Sequence, residues 1–292
     1  MPRTIVVNLR TLAPIWTGDV DRTSEQAKET SLMGSVRWWT EVLVRGLGGY
    51  ACDPTGDDRC TFDEVAYHRT GEPEDGLRDV CPTCRLFGCT GWSSKLRLLL
   101  TDGEGGYEVN LSQPGVSFMM NFVELKPTEP EERWLLAKAV WLITRYGSLG
   151  GKTTLKPPQP DYGLVALASP LRLPTGITRK DVQAWLARML DASPRMQERL
   201  RRAPPEWPDL RLFFFNTGRW LDRSQVNELV RVDPSGFLSG RRGVSKKVFS
   251  FQTVSRFWGY ARDEEMLEKV LATLQRLGVT DTRTGKEVLD EL

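Results

Sequence analysis

The order of strand and helix patterns over residues 4–168 constrains the fold most strongly. Apolar and β-branched runs predict strands at 4–12, 93–100, 117–125 and 162–168. Two amphipathic patterns predict helices, one from Ser31 to Gly46 and one from Pro130 to Gly147. The order is therefore β-α-β-β-α-β, which is typical of the ferredoxin-like plan, an antiparallel sheet with both helices on one face.

The second half gives a less complete pattern. Residues 178–190 and 263–278 are amphipathic and predict two helices, and the apolar run at 209–218 predicts a buried strand. We therefore expect an α+β fold in two domains, 1–165 and 166–292. The topology of the second domain does not follow from its residues.

The composition indicates in which cellular compartment the protein is found. The 292 residues are 40% apolar, which is enough for hydrophobic cores, but they include no apolar run long enough to span a bilayer. The first residues, MPRTIVVNLR, lack the pattern of a signal peptide. We expect a cytoplasmic protein without a membrane partner, in which five cysteines serve as metal ligands or free thiols rather than disulfides.

Three of these cysteines fall within CPTCRLFGCTGW at 81–92. A CxxC pair presents two thiolates to one metal ion, and two upstream cysteines can complete a tetrahedral zinc site. The predicted structural zinc ligands are Cys52, Cys60, Cys81 and Cys84. Cys89 and His68 are competing ligands, and buried thiols without a metal remain the alternative. A redox role is less favoured because the motif does not follow a βαβ start.

Basic residues are concentrated in residues 237–260, which contain no acidic residue although the net charge is only +2. The cations there are Arg241, Arg242, Lys246, Lys247 and Arg256. Aromatic residues lie between them, including Phe249, Trp258 and Tyr260. Cations that meet phosphates beside rings that stack on bases suit a nucleic-acid surface. A solvated basic loop beside core aromatics explains the same pattern, and both interpretations stay open.

Two further segments could contact an anion. YGSLGGKTTLK at 146–156 is not a P-loop, because the spacing before its Gly-Lys pair is one residue short and it follows a helix. Its backbone N–H groups at Gly150 and Gly151, with Lys152 and Lys156, could still hold a phosphate. Gly34 and Ser35 near the start of the first helix, with Arg37 one turn on, form a weaker candidate.

Catalysis has little support in the sequence. His68 is the single histidine, so a two-histidine acid–base pair for RNA cleavage cannot form. No compact carboxylate cluster of the kind found in metal-dependent nucleases is recognisable. We therefore expect no enzymatic activity and no nucleotide cofactor.

Three segments together resemble the RAMP superfamily of CRISPR effector proteins. They are SLMGSVRWWTEVLVRGLGGYACDP at 31–54, CPTCRLFGCTGW and the glycine-rich loop, and LAPIWTGD at 12–19 fits the same pattern. The resemblance covers about residues 4–165 and is nearest to the first-named RAMP subunit of the type III-B (Cmr) complex. The family's frequent arginine-bearing GxGxxG-type loop is replaced here by GSLGGKTTLK, which leaves open that this loop faces a protein neighbour or a different part of the RNA.

The resemblance implies tandem ferredoxin-like (RRM-like) domains, with a cysteine-containing insertion at about 50–92 in the first. It implies an RNA-binding subunit of an antiviral complex that does not cut RNA. Guide RNA, target RNA and other Cmr subunits would be its partners, and it would sit where the 3′ part of the guide is held. Carried over, Gly34, Ser35, Arg37 and the glycine loop would hold RNA backbone. The alternatives are a metal-independent RAMP endoribonuclease that processes guide RNA, and a protein-only scaffold.

Overall fold

The computed structural model describes residues 3–18, 24, 26–153, 160–171, 176–240 and 244–292. In the first half the elements follow the predicted order, with three short helices added between α1 and β2. They are β1 (Thr4–Thr11), α1 (Glu29–Gly46), α2 (Glu64–Thr70), α3 (Pro73–Leu77), α4 (Pro82–Phe87), β2 (Leu96–Asp102), β3 (Ser117–Glu124), α5 (Pro130–Arg145) and β4 (Val165–Leu167).

The four strands of this half form one antiparallel sheet with the order β2-β3-β1-β4. Alternation along β1 sets its two faces. Val7 and Leu9 are buried against α1 and α5, whereas Val6 and Arg10 point to the opposite, open face. Arg97 of β2 is exposed on that same open face. The first sheet is therefore covered by helices on one side only, as the predicted plan requires.

The second half has the remaining elements. They are α6 (Arg179–Asp191), α7 (Pro194–Arg201), a 3₁₀ turn (Leu210–Leu212), β5 (Phe213–Asn216), α8 (Arg223–Val230), β6 (Val248–Phe251), β7 (Arg256–Tyr260), α9 (Glu264–Arg276), β8 (Arg283–Thr284) and α10 (Gly285–Asp290). The second sheet has the order β6-β7-β5-β8, so it repeats the β-α-β-β-α-β arrangement of the first. The structure thus contains two four-stranded antiparallel sheets in a mixed α/β fold.

The second sheet is covered on both faces, which explains why β5 and β6 are buried at every position. Phe214 and Phe257 on one face pack with α8 and α9. On the other face, Trp258 packs against Trp39 of α1, with ring centroids 5.1 Å apart. The two halves therefore share one continuous core across the second sheet and the helices of the first half.

This packing bears on the two interpretations of the aromatic residues at 237–260. The aromatic residues Phe249, Phe251, Phe257, Trp258 and Tyr260 are at most 7% exposed, because they form both faces of the covered sheet. This degree of burial favours the core interpretation of these rings. Within the described residues no helix is long and apolar enough to cross a membrane.

Candidate functional site

Four cysteine thiols meet beside α1, two from the loop that follows it and two from the first turn of α4. The sulfur atoms of Cys52, Cys60, Cys81 and Cys84 all lie within 4.8 Å of one another, and all four residues are buried. The Cys52 and Cys84 sulfurs are 3.4 Å apart, and those of Cys81 and Cys52 are 4.0 Å apart. Four thiolates around a tetrahedral zinc ion, with Zn–S bonds of about 2.3 Å, would be about 3.8 Å apart. The geometry therefore fits a metal ion of this type.

Local sequence positions the CxxC pair. Pro82 begins α4, and Cys81 caps it by accepting a hydrogen bond at 3.5 Å from the backbone N–H of Cys84. The Cys60 sulfur accepts one at 3.3 Å from the N–H of Cys81. Burial works to raise the pKa of Cys81, but hydrogen bonds from the neighbouring thiols outweigh it and hold that pKa well below its usual value. At Cys81 the amide environment and the low pKa favour thiolate, the form that binds metal. Hydrogen bonds with the neighbouring thiols raise the pKa of Cys60 and Cys84, so without a metal ion the negative charge of the cluster is concentrated on Cys81.

The two competing ligands lie outside this group. His68 is exposed on α2, and Cys89 is half-buried beyond the end of α4. Among the described residues, the candidate metal group contains only the four predicted cysteines.

Arg37 of α1 faces this cysteine cluster, the group Cys52, Cys60, Cys81 and Cys84. Its guanidinium donates hydrogen bonds to the Cys84 sulfur at 3.1 Å, to the Gly88 carbonyl at 3.0 Å and to the Glu41 carboxylate at 3.0 Å. Burial raises the pKa of Glu41 to about 7, although Arg45 and Arg37 favour the charged form. The structure thus places Arg37, a predicted RNA contact, against the cysteine cluster.

The start of α1 also differs from expectation. The helix begins at Glu29 rather than at Ser31, so Gly34 and Ser35 lie in its second turn. Backbone N–H groups at these positions belong to the helical hydrogen-bond ladder and are not free for an anion. The predicted anion site at the helix N-terminus is therefore wrong. Gly34 is exposed with open space around its Cα, whereas the side chain of Ser35 faces a groove.

This groove runs between the two halves and has a volume of about 640 Å³. One wall is α1, a second is the loop at 148–153 with Trp16, and the third is the segment around β6 and β7. Among the described residues its polar lining contains hydroxyl groups and two lysines but no carboxylate. The candidate residues that it brings together are Ser35, Gly150, Gly151, Lys246 and Lys247. We call it the interdomain groove.

The glycine loop packs against Trp16. The N–H of Gly150 donates to the Ser35 hydroxyl at 3.2 Å, and that of Gly151 donates to the Trp16 carbonyl at 2.7 Å. A Cβ atom at Gly151 would lie 2.6 Å from the Trp16 ring, and Gly150 has a φ of +83°. These glycines are therefore required by close packing, and their N–H groups are not free to hold a phosphate. Lys152 is exposed, with its Nζ 4.5 Å from the Trp16 ring centroid.

The residues of the basic segment at 237–260 differ in how they contribute to the groove. Lys246 is 7% exposed, and Lys247 is half-buried with its Nζ donating to the Ser245 carbonyl at 2.7 Å. Burial lowers the pKa of Lys247. Arg256 points instead at the carbonyl oxygens of Thr144, in the last turn of α5, and of Gly147, just after the helix. Burial, with Arg145 nearby, lowers the pKa of Arg256 to about 10. The remaining candidates, Lys156, Arg241 and Arg242, lie outside the described residues.

Comparison with known proteins identifies the family. A sequence model of the RAMP superfamily matches residues 8–155, about half of the chain. The chain belongs to the RAMP superfamily. No curated protein matches it.

Three solved structures resemble this RAMP protein at low identity. A cryo-EM structure of the type III-B Cmr-β complex bound to cognate target RNA and AMPPnP has 11% identity and a TM-score of 0.49, over 95% of this chain and 100% of that chain. A type IV-B CRISPR complex has 15% identity and a TM-score of 0.40, over 61% and 96%. Methanopyrus kandleri Csm3 has 14% identity and a TM-score of 0.33, over 57% and 75%. These likenesses are weak, and the family assignment rests on the sequence match.

Several groove residues of this RAMP protein were missed by sequence reasoning. Trp16, Trp38 and Ser148 line the groove, and the Ser148 carbonyl accepts the indole N–H of Trp39 at 3.1 Å. A signal existed for Trp16, which lies in the LAPIWTGD segment that contributed to the family resemblance. Trp38 lies beside Trp39 in SLMGSVRWW, a pair for which the sequence favours core and edge packing over a stacking platform, and its exposure depends on how the second sheet packs on α1.

Proposed function

We propose that this RAMP protein is a non-catalytic RNA-binding subunit of a type III-B CRISPR (Cmr) effector complex. The observation that carries the proposal is the interdomain groove, in which candidate residues from three separate segments converge. Family membership supports the CRISPR setting. The place at the end that holds the 3′ part of the guide, and the contact with target RNA, rest on the resemblance to Cmr subunits.

The groove lining suits a nucleic-acid backbone. Lys247 supplies positive charge, and the described residues of the lining include no carboxylate. Because Lys247 is half-buried, its attraction for a phosphate is less screened than that of an exposed lysine. Hydroxyl groups such as those of Ser35 and Thr153 can bond sugar and phosphate oxygens. A single strand lying in this groove would contact both halves of the protein.

We also propose that the cysteine cluster binds one structural zinc ion. Zinc bound by four thiolates cross-links the segment between α1 and β2, and it keeps no open position for catalysis. The chain's own residues prepare the site, since the amides of Cys81 and Cys84 and the guanidinium of Arg37 all donate to sulfur. Arg37 in turn links α4 to α1, the helix that forms one wall of the groove.

A RAMP endoribonuclease is the second candidate, and the chemistry of the site counts against it. His68, the single histidine, is exposed on α2 and is absent from the groove lining. The described lining offers no carboxylate as a general base. Within this proposal, other subunits would contact the open face of the first sheet, where Val6 and Arg10 are exposed.

The test is RNA binding across a salt series, with end-labelled single-stranded RNA analysed on native and denaturing gels with and without EDTA. We expect intact, shifted RNA whose affinity falls as salt rises. Lys247→Gln should weaken binding several-fold and reduce the salt slope by about one phosphate contact, whereas Arg97→Gln on the open sheet face should do neither. Cleavage that tracks with the protein would refute the non-catalytic role, and equal effects of the two variants would refute the groove.

A further inference from the structure

Ser35 occupies a distinctive position in the interdomain groove. It lies on the α1 wall, half-buried, and its hydroxyl oxygen accepts the N–H of Gly150 at 3.2 Å. A serine hydroxyl has one proton to donate and two lone pairs to accept with. Since Gly150 uses one lone pair, the proton and the second lone pair remain. None of the described residues accepts that proton, so Ser35 offers one donor and one acceptor to an occupant.

Ser31, one turn earlier on the same wall, differs in this respect. Its hydroxyl already donates to the carbonyl oxygen of Thr17. The two serines line the same groove and share the same helix face, but only Ser35 has an uncommitted proton among the described partners. Ser31 is therefore a matched internal control.

We infer that Ser35 makes the groove selective for RNA over DNA by bonding a ribose 2′-hydroxyl, an inference that rests on the proposed RNA-binding function. A 2′-hydroxyl both donates and accepts, so it complements the donor and acceptor that Ser35 presents. Phosphate oxygens only accept, and they are better matched by the charged Lys247 on another wall of the groove. A strand with its phosphates toward Lys247 would turn a sugar toward α1.

The experiment compares four proteins on two ligands. Wild type, Ser35→Ala, Ser31→Ala and Ser35→Thr are titrated with single-stranded RNA and with DNA of the same sequence, at one salt concentration. Wild type should bind RNA about two- to tenfold more tightly than DNA, the range expected for one neutral hydrogen bond. Ser35→Ala should lose that preference by weakening RNA binding alone, Ser31→Ala should keep it, and Ser35→Thr should restore it.

A second set of ligands locates the contact. A set of RNA oligonucleotides is made in which a single 2′-deoxy substitution occupies each position in turn. The affinity of each oligonucleotide is measured with wild type and with Ser35→Ala. At one position the deoxy substitution should weaken wild-type binding but leave Ser35→Ala unchanged, since each change removes the same bond. Unchanged thermal unfolding and unchanged DNA affinity of Ser35→Ala would show that loss of the Gly150 contact has not distorted the groove.

The outcomes separate this inference from the proposed function. Equal wild-type affinity for RNA and DNA would overturn the inference while leaving RNA binding intact. Equal loss of RNA and DNA binding in Ser35→Ala would assign Ser35 to phosphate and also overturn it, as would equal effects of Ser31→Ala and Ser35→Ala. Binding of neither nucleic acid by wild type would refute the proposed function itself.

Discussion

Replacing Arg37 with methionine should destabilise the protein without altering its salt-dependent attraction for RNA. Methionine retains much of the length of the arginine stem but removes the three hydrogen bonds to Cys84, Gly88 and Glu41. The side chains of Arg37 and Glu41 are only 18% and 6% exposed, so water cannot fully replace the lost bonds. Removal of one partner from a buried ion pair leaves the other charge uncompensated.

The expected magnitude follows from these contacts. Breaking a buried pair by deleting one partner costs about 3–5 kcal/mol. Arg45 also attracts the Glu41 carboxylate, and burial raises the pKa of Glu41 to about 7, so the carboxyl can take up a proton when Arg37 is removed. Both effects reduce the loss and favour the lower end of the range, about 3 kcal/mol. At roughly 2–4 °C per kcal/mol for a chain of this size class, the melting temperature should fall by about 6–12 °C.

Three measurements on the same preparation test this. Thermal unfolding should show the lowered melting temperature, chelator challenge should release metal faster, and the slope of RNA affinity against salt should match that of wild type. Arg97→Met, an exposed arginine on the open sheet face, is the control and should change none of these. A wild-type melting temperature combined with a shallower salt slope would show that Arg37 contacts RNA rather than supporting the cysteine cluster.

Three further substitutions test other parts of the structure. Cys84→Ser should release zinc, measured by elemental analysis, and lower thermal stability; stoichiometric metal in the variant would contradict the site. Lys95→Met removes both 2.9 Å contacts to buried Glu132 and should cost about 3–5 kcal/mol at neutral pH by denaturant unfolding. Burial already raises the pKa of Glu132 in the folded protein. As the pH falls through that raised pKa, Glu132 becomes protonated, no charge is left for Lys95 to compensate, and the free-energy cost of Lys95→Met should shrink. A cost of Lys95→Met that does not depend on pH would refute this. Gly147→Ala would place a methyl group 2.3 Å from the Trp39 ring and should cost about 1–3 kcal/mol, whereas an unchanged denaturation midpoint would show that the ring yields freely.

The first half of the fold was predictable because its patterns are long and one-sided. An eight-residue β1 alternates between a covered and an open face, and an eighteen-residue α1 shows a clear apolar stripe. The second sheet lacks such patterns. β6 and β7 have four and five residues and are covered on both faces, so alternation is absent and adjacent lysines make the segment resemble a surface loop. Only the packing of distant helices shows that its aromatic residues are buried.

The features of the candidate sites also differ in whether the sequence can predict them. Cysteine spacing is a local signal, and the four predicted residues do assemble into one buried group. The role of Arg37 depends on Cys84, which lies 47 positions away, and no local pattern reveals that contact. Likewise, a glycine-rich sequence indicates freedom of the backbone but not which N–H groups are already used, as Gly150 and Gly151 illustrate.

Photocrosslinking can show whether single-stranded RNA lies in the interdomain groove. RNA containing 4-thiouridine would be irradiated with the protein, and the crosslinked peptides would be mapped by mass spectrometry. We predict crosslinks within residues 31–38, 148–153 and 244–249, the segments that line the groove. Crosslinks confined to the open face of the first sheet, around Arg10 and Arg97, would contradict the account.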